Sequence, residues 1–292
     1  EKIGPRSAIT ARQTLEMSQL DPAKIGALIH GSVCRDYLEP ATACGVHQKL
    51  GLRDDCFITD LSNACLGLAN GMTIAANMIE LGQIEAAVVV GTENSRSLME
   101  TTIEKLNNDT SLTRKDIKLA VASLTIGSGS AAVVLAHRDI SRSGIRLLGG
   151  VAHANTDYCH LCQSDTDQSG GDAMSPLMWT DSETLMHEGI KTAKAGFARF
   201  LAELGWTPDS INKTFCHQVG KMHEKLMFET LGLDTAINYS TLERLGNTGS
   251  VAMPTAAALG IQSGHVAPGD RVAMLGIGSG INTIMLGLEW NG

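Results

Sequence analysis

One cysteine in the sequence has surroundings that suit chemistry at sulfur. Cys65 stands in the stretch DLSNACLGLANG, residues 60–71, where an apolar run ends and a helical pattern begins. A thiol at the start of a helix lies at the positive end of the helix dipole, which favours the nucleophilic thiolate. Ser62 or Asn63 would cap that helix. The alternative is that Cys65 is a small core residue, as most free cysteines are.

A histidine and an asparagine stand in comparable positions later in the chain. His217 lies in FCHQVG and Asn247 in LGNTGS, each at the end of an element with a buried pattern. A cysteine, a histidine and an asparagine form a set for acyl chemistry: a nucleophile, a proton carrier or hydrogen-bond donor, and an amide that donates to a carbonyl oxygen. Taken alone, His217 is also compatible with a core histidine and Asn247 with a helix N-cap.

Two groups of glycines accompany these residues. Gly67 and Gly71 would let another backbone or a ligand approach closely, which a plain core helix does not need. The stretch GIGSG, residues 276–280, follows a buried strand and would expose backbone N–H groups to an anion or oxyanion. It lacks the spacing and the Lys-Ser/Thr ending of a phosphate loop. An oxyanion hole made by an N–H of this loop and the N–H of Cys65 fits better.

An internal duplication predicts how these residues are brought together. DPAKIGALIHGS matches TPDSINKTFCHQ in its order of turn, short helix and strand, and the segment around the cysteine matches the segment around the asparagine. The counterpart of Gly31 is then His217, and the counterpart of Cys65 falls at or beside Asn247. Two related halves, packed together, would direct these side chains toward one central site.

The elements of both halves predict an α/β fold. Continuous Val, Ile, Leu and Ala strands alternate with helices, which is typical of parallel strands buried on both faces. The division falls near Ser141, giving an N-terminal half over residues 1–140 and a C-terminal half over residues 141–292. The strand GIRLLGGVAHA opens the second half and has no counterpart in the first, so we expect the first half to be incomplete at its start.

The composition is that of an ordinary globular protein. The chain has 292 residues, 43% of them hydrophobic, and a formal charge of −8 without a run of Lys or Arg, so nucleic acid is not an expected partner. No apolar stretch reaches the roughly 18 residues of a membrane span, and no secretion leader is visible. Seven cysteines at irregular spacing indicate reduced thiols and a cytoplasmic location.

The motifs together resemble the thiolase superfamily, and within it the ketosynthase III branch. DLSNACLG is similar to the nucleophile segment of that branch, CHQVG to its histidine segment, LGNTGS to its asparagine segment and GIGSG to its C-terminal glycine loop. They occur in the same order over nearly the whole chain. The resemblance implies a thiolase-like five-layered αβαβα sandwich of two duplicated halves, usually dimeric.

The same resemblance implies roles for the site residues. Cys65 would be the acylated nucleophile. His217 and Asn247 would hold the enolate oxygen of a second thioester. The N–H of Ser279, beside Gly278, would donate to the oxyanion.

A finer resemblance is to the OleA family of acyl-CoA condensing enzymes. CRDYLEPATA, residues 34–43, is similar to a loop of that family whose glutamate reaches into the active site of the partner subunit and acts as the base. By motif position this residue is Glu39. The segment VVGTENSRSLMETTIEKL is similar as well. Taken by itself, Glu39 beside Pro40 is compatible with an exposed loop carboxylate.

The function implied is a non-decarboxylative Claisen condensation. Two long-chain acyl-CoA thioesters would react through an acyl-cysteine to give a 2-alkyl-3-oxoalkanoate, in olefin and long-chain hydrocarbon biosynthesis. No cofactor and no metal are implied besides the CoA thioester substrates; the partners implied are a second copy of the chain and downstream olefin-pathway enzymes. Two alternatives stay open: decarboxylative 3-oxoacyl-ACP synthase III chemistry with a malonyl thioester, and a non-catalytic partner subunit of a condensing-enzyme complex.

Two weaker signals remain. DYCHLC, residues 157–162, has the spacing of half a zinc site, but no second ligand pair stands at a usable distance. We interpret it as a polar loop that borders the mouth of the active site. Glu93 ends the predicted strand EAAVVVGTE, and we assign it to the dimer interface.

Overall fold

The chain folds into alternating helices and strands. The computed structural model describes residues 2–164, 177–217 and 219–291. The helices are α1 Gly4–Ser18, α2 Thr42–Leu50, α3 Gly67–Glu80, α4 Arg96–Asn108, α5 Arg114–Ala120, α6 Ser182–Leu204, α7 Lys221–Leu231, α8 Leu242–Leu245 and α9 Ala252–Gln262. The strands are β1 Ile25–Gly31, β2 Phe57–Leu61, β3 Ala86–Glu93, β4 Gly129–Ala136, β5 Ile145–Ala154, β6 Cys162–Ser164, β7 Met178–Thr180, β8 Lys213–Cys216, β9 Arg271–Gly278 and β10 Asn282–Trp290.

Two four-stranded sheets form the frame, with the orders β2-β1-β3-β4 and β5-β10-β9-β8. β1 runs parallel to β2 and β3, and β8 runs parallel to β9. β4, β5 and β10 pair antiparallel with their neighbours, so the prediction of parallel strands is wrong for these three. A run of apolar residues reports burial on both faces and not strand direction. β9 and β10 are joined by residues 279–281 alone, too few for the crossover that parallel pairing requires.

Three hydrophobic clusters separate the layers. Leu15 of α1 packs with α2 against one face of the first sheet. Leu68 of α3 and Met253 of α9 lie in a central cluster with strands of both sheets. Phe197 of α6 and Phe228 of α7 cover the far face of the second sheet. This order of helix, sheet, helix, sheet and helix confirms the predicted α/β sandwich of five layers. Within the ranges described, no helix combines the length and apolar character needed to cross a membrane.

Candidate active site

Cys65 lies in the turn that joins β2 to α3. The strand ends at Leu61, Ala64 adopts a left-handed backbone with a φ of 45°, and the helix begins at Gly67. A Cβ on Gly67 would come within 3.1 Å of the carbonyl carbon of Gly31, so the helix starts directly against the end of β1. The close approach predicted for Gly67 is therefore made by another backbone, and it holds Cys65 at the edge of the first sheet. At Gly71 an added Cβ would instead meet the side chains of Val89 and Ile29.

The residues predicted to cap α3 have another role, and that prediction is wrong. Leu66 is the N-cap residue, and no side chain accepts a hydrogen bond there. The turn before it moves Asn63 out of reach of the first helical N–H groups. The Asn63 amide instead donates to the side-chain oxygen of Asn70 at 2.8 Å and to that of Asn282 at 3.1 Å. Because Asn282 is the first residue of β10, Asn63 connects the turn that holds Cys65 to the second sheet.

The thiol of Cys65 holds its proton more firmly than its position beside a helix N-terminus predicts. Burial raises its pKa to about 12, and the negative charge of Glu93 and the thiol of Cys162 act in the same direction. Backbone N–H groups of Cys65 and Ser279 interact with the sulfur and lower the pKa by less. Loss of hydration thus outweighs the helix dipole, and the expectation of a stabilised thiolate is wrong.

The glycine-rich end of β9 packs against the same segment. A Cβ on Gly276 would lie 2.8 Å from a methyl carbon of Leu66, and one on Gly278 would lie 3.0 Å from its Cγ. Glycines allow this approach, which brings the N–H of Ser279 to the sulfur of Cys65. Two backbone donors therefore lie beside the nucleophile, an arrangement suited to an oxyanion.

His217 directly follows β8. Its N–H donates to the carbonyl of Leu275 in β9 at 3.0 Å, and its side chain is buried. Nδ1 has no hydrogen-bond partner among the residues that the structure describes. Burial, with a smaller effect of His223, lowers the pKa of His217 to about 3. The imidazole is therefore neutral at physiological pH, with one nitrogen able to donate and the other able to accept.

Asn247 lies in the segment between α8 and α9. Its N–H donates to the carbonyl of Thr125 at 3.0 Å, and its carbonyl accepts from the N–H of Gly127 at 2.8 Å. Its side-chain Oδ1 accepts from the N–H of Gly249 at 3.0 Å, at the start of a short 3-10 helix. The alternative of a helix N-cap is wrong for Asn247, because the N-cap residue of the 3-10 helix is Thr248 and that of α9 is Val251; the bond to Gly249 closes a turn before them. Since the amide oxygen is engaged, the NH2 group is the end that donates elsewhere.

Glu93 is a residue that the sequence analysis did not assign to this site. It ends β3 with only 5% of its surface exposed, and its charge acts on Cys65. A side chain enclosed by its own chain does not line a surface, so the assignment of Glu93 to a dimer interface is wrong. The signal available in the sequence was a single charged residue at the end of a strand that is otherwise uncharged.

Cys162 also lies beside Cys65. It begins β6, directly after a 3-10 helix over Thr156–Leu161, so the stretch DYCHLC is not the predicted loop. Its sulfur accepts from the hydroxyl of Ser279 at 3.3 Å and from that of Thr180 at 3.4 Å. The stretch does border the site, as predicted. Most of the polar stretch that follows, residues 165–176, lies outside the described residues. Within the described ranges, no group of three metal-ligating side chains occurs.

The elements that carry the three principal residues meet where the two sheets end. β9 links His217 to the turn that holds Cys65. His217 bonds to Leu275 of this strand, and the next residue of the strand, Gly276, packs on Leu66. Glu93 links Asn247 to Cys65. The N–H of Gly249 bonds to Asn247, and a Cβ added to Gly249 would lie 3.3 Å from Cγ of Glu93, whose charge acts on Cys65. Ser279 and Glu93 each interact with Cys65, and His217 and Asn247 are each joined to this group through one neighbouring element.

Glu39 is exposed, on the loop between β1 and α2. Asp36 anchors the loop, since its carboxylate accepts from the N–H of Gly4 at 3.1 Å. Tyr37 and Leu38 beside Glu39 are also exposed, at 49% and 58%. A carboxylate flanked by exposed apolar side chains is compatible with a residue that acts on another chain. Its reach into a partner subunit stays a prediction.

Two family models match the chain. The thiolase N-terminal domain matches residues 6–142, and the C-terminal domain of 3-oxoacyl-[acyl-carrier-protein] synthase III matches residues 201–290. The first match contains Cys65 and Glu39, and the second contains His217, Asn247 and Ser279.

Individual proteins resemble the chain over nearly all of its length. The acyl-CoA:acyl-CoA alkyltransferase of Shewanella oneidensis is 38% identical over 283 residues, which cover 96% of this chain and 80% of that protein. A solved structure of Xanthomonas campestris OleA, a cysteine-to-serine variant with bound lauric acid and lauroyl-CoA, has a TM-score of 0.92 at 34% identity and covers 99% of this chain and 83% of its own.

A third similar protein carries a different name. The solved structure of 3-oxoacyl-(acyl carrier protein) synthase III, FabH, from Xanthomonas oryzae pv. oryzae has a TM-score of 0.92 at 35% identity, and the match covers 99% of this chain and 83% of that one. The two matched domains and the relatives that resemble this chain from end to end lead to one conclusion: the chain belongs to the thiolase superfamily, in its 3-oxoacyl-ACP synthase III branch, alongside the OleA-type acyl-CoA:acyl-CoA alkyltransferases.

Proposed function

We propose that this chain condenses two long-chain acyl-CoA thioesters without decarboxylation and yields a 2-alkyl-3-oxoalkanoate. The chain is an acyltransferase of the thiolase superfamily. The observation that supports the reaction most is the pair of backbone N–H groups, from Cys65 and Ser279, beside the sulfur of Cys65. Such donors stabilise the negative charge that develops on a carbonyl oxygen when sulfur attacks its carbon. The choice of acyl-CoA rests on the name of the similar alkyltransferase and on the lauroyl-CoA bound to OleA.

In the first half-reaction, Cys65 takes up one acyl group. Its sulfur forms a bond to the thioester carbonyl carbon, the bond from that carbon to the CoA sulfur breaks, and CoA leaves. Because the pKa of the thiol is about 12, the thiol proton has to be removed as the bond forms. We assign its transfer to the leaving CoA thiolate to the neutral imidazole of His217.

In the second half-reaction, another acyl-CoA supplies a carbanion. Glu39 takes its α-proton, and His217 and the NH2 group of Asn247 donate to the enolate oxygen that results. The α-carbon then bonds to the carbonyl carbon of the acyl group on Cys65, and the bond to the sulfur breaks. Hydrolysis of the remaining thioester by water releases CoA and the 3-oxo acid.

Lauroyl-CoA supplied alone tests this function. We expect CoA release together with a β-keto acid, detected by thiol titration and mass spectrometry. Glu39→Ala should slow condensation about 100-fold or more, because a general base contributes that much, while acylation of the Cys65 peptide continues. Asp54→Ala, which removes another exposed loop carboxylate, is the matched control and should condense normally. Condensation by Glu39→Ala at the wild-type rate would show that the assigned base is wrong.

A second candidate is decarboxylative condensation with a malonyl thioester. The similarity to the structure named 3-oxoacyl-(acyl carrier protein) synthase III favours it. There the loss of CO2 generates the carbanion, and no glutamate base is needed. A strict requirement for the malonyl thioester, with no product from lauroyl-CoA alone, would favour this reaction over the first.

A third candidate, from another class, is a non-catalytic partner subunit. Such a subunit has little reason to retain a cysteine, a histidine and an asparagine on elements that meet. Mass analysis of the Cys65 peptide after exposure to lauroyl-CoA distinguishes the two classes, because a non-catalytic subunit forms no acyl-cysteine.

The remaining properties that we propose concern the whole protein. We assign it a homodimeric state in which Glu39 serves the partner's site, a cytoplasmic location, and a place before the enzymes that convert 2-alkyl-3-oxo acids to olefins. We propose no cofactor beyond the CoA of its substrates. We also propose two thiolase-like halves, residues 1–140 with the nucleophile and residues 141–292 with the histidine and asparagine.

A further inference from the structure

The carboxylate of Glu93 is the most highly connected buried acid in the described chain. Its Oε1 accepts from the N–H of Val33 at 3.0 Å and from the N–H of Ser250 at 3.3 Å. Its Oε2 accepts from the N–H of Cys34 at 3.1 Å. The hydroxyl of Ser250 also donates to Oε1. These donors belong to two segments that are far apart in sequence, and both segments are bonded to the Glu93 carboxylate.

Each of these segments leads to a residue of the proposed second half-reaction. Val33 and Cys34 begin the loop that carries Glu39. Ser250 lies three residues after Asn247 in the turn before α9, and the hydroxyl of Ser250 also lies 3.1 Å from the carbonyl oxygen of Gly31. The carboxylate therefore joins the end of β3 to the base of the Glu39 loop and to the Asn247 turn.

The surroundings of Glu93 argue against a purely stabilising role. No Lys or Arg of the described residues forms an ion pair with it, although burying a carboxylate costs free energy that a cation would offset. The titratable groups that its charge reaches are Cys65, Cys34 and His30. An apolar residue would fill an ordinary core position without this cost.

We infer that Glu93 is a positioning residue for the second half-reaction: its carboxylate holds the start of the Glu39 loop, which serves the partner's site, and the Asn247 turn, which serves the site of its own chain. The inference rests on the proposed function, since Glu39 and Asn247 are assigned to the second acyl-CoA and not to the first. Glu93 is assigned no contact with the substrate; its effect on the reaction passes through its hold on these two segments.

Glu93→Gln is the variant that tests the inference with the least change in shape. One of its two terminal atoms becomes an NH2 group, which cannot accept from the backbone N–H groups that now meet the carboxylate. At least one of the two segments therefore loses its anchor. Glu85→Gln, the same change just before the start of the same strand, is the matched control, because Glu85 is exposed and pairs only with Lys24 on the surface.

Two measurements separate positioning from general damage. Acylation of Cys65 by lauroyl-CoA should stay within about twofold of wild type, while condensation should fall about tenfold or more, because small displacements of reacting groups cost that much. Alkylation of Cys65 by iodoacetamide at a fixed, mildly alkaline pH should become about threefold to tenfold faster, since removal of the negative charge lowers the pKa of the thiol. The exposed Cys44 is the internal reference and should not change.

The outcomes are distinct. Condensation that is unaffected, or that falls in equal proportion with acylation, would overturn the inference, as would an unchanged alkylation rate at Cys65. If Glu93→Gln does not fold, Ser250→Ala removes a single donor and should lower condensation severalfold with acylation retained; equal loss of both steps would again overturn it. Failure of the wild-type protein to condense lauroyl-CoA is a separate result, which refutes the proposed function itself.

Discussion

Cys65 and His217 are both uncharged near neutral pH, because enclosure raises the pKa of the thiol to about 12 and lowers that of the imidazole to about 3. Their residue types and order in the chain predicted acyl chemistry, whereas their protonation states depend on what surrounds them. A neutral imidazole suits a hydrogen bond to an enolate, and a protonated thiol requires that the nucleophile form when substrate arrives. Cys65 and His217 therefore do not form a thiolate–imidazolium ion pair before the substrate binds.

Histidines that lose hydration on folding make the stability of the fold depend on pH. Burial lowers the pKa of His223 from 6.5 to about 4. The unfolded chain therefore binds a proton between about pH 7.5 and pH 5.5 that the folded chain does not, and the free energy of unfolding falls by about 1.4 kcal/mol per such histidine as the pH falls. Above the unfolded pKa this loss is absent. Urea unfolding at both pH values measures it.

His223→Gln provides the comparison for this prediction. The variant has one titratable imidazole fewer, so its stability should fall less over the same range, by about 1.4 kcal/mol. An identical pH dependence in the wild type and in His223→Gln would contradict a lowered pKa for His223.

At the scale of elements, the contact between β1 and α3 determines the position of Cys65. A Cβ on Gly31 would lie 2.6 Å from the carbonyl carbon and oxygen of Gly67 and 2.8 Å from the N of Leu68. All of these are backbone atoms, which cannot rotate away. The Gly-containing turn could be recognised in the sequence as a close approach, but the partner in that approach could not.

Gly31→Ala should therefore displace α3 and with it Cys65. We expect the free energy of unfolding to fall by about 3 kcal/mol, at the upper end for overpacking, and the acylation rate to fall as well. Gly45→Ala is the control: Gly45 lies in α2 with nothing within 4 Å of an added Cβ, so helix propensity should raise stability by about 0.8 kcal/mol. Denaturant titration measures both. Equal effects of the two substitutions would refute the close contact.

At the scale of the whole molecule, the proposal that two copies share their active sites rests on the exposed position of Glu39. The five layers, the sheet orders and the meeting of the Cys65, His217 and Asn247 elements are all within one chain. The base proposed for the second half-reaction lies on the surface of that chain. A dimer that shares residues between sites follows if the role proposed for Glu39 is correct.

Mixed dimers test this sharing. Separately, Cys65→Ala and Glu39→Ala dimers should not condense lauroyl-CoA. A heterodimer of the two, isolated through different affinity tags, contains one site with an intact cysteine and a glutamate from the partner, so it should recover up to about half of the wild-type rate.

The reverse arrangement is the control. A heterodimer of the wild type with the Cys65→Ala, Glu39→Ala double variant has no complete shared site and should be inactive. Activity in this heterodimer, with none in the first, would mean that Glu39 acts within its own chain.

The sequence alone determined the order of the motifs and the α/β layering, and it predicted the roles that we propose for Cys65, His217, Asn247 and the glycine loop. These follow from patterns that are local, or that repeat between two segments of the chain. Strand direction at β4, β5 and β10, the partners of Asn63, and the presence of Glu93 and Cys162 at the site were decided by the tertiary structure alone. Asn63 meets a residue 219 positions away, and Glu93 one 157 positions away. Neither contact has a periodic or compositional signature, and the pKa values follow from the desolvation that only packing creates.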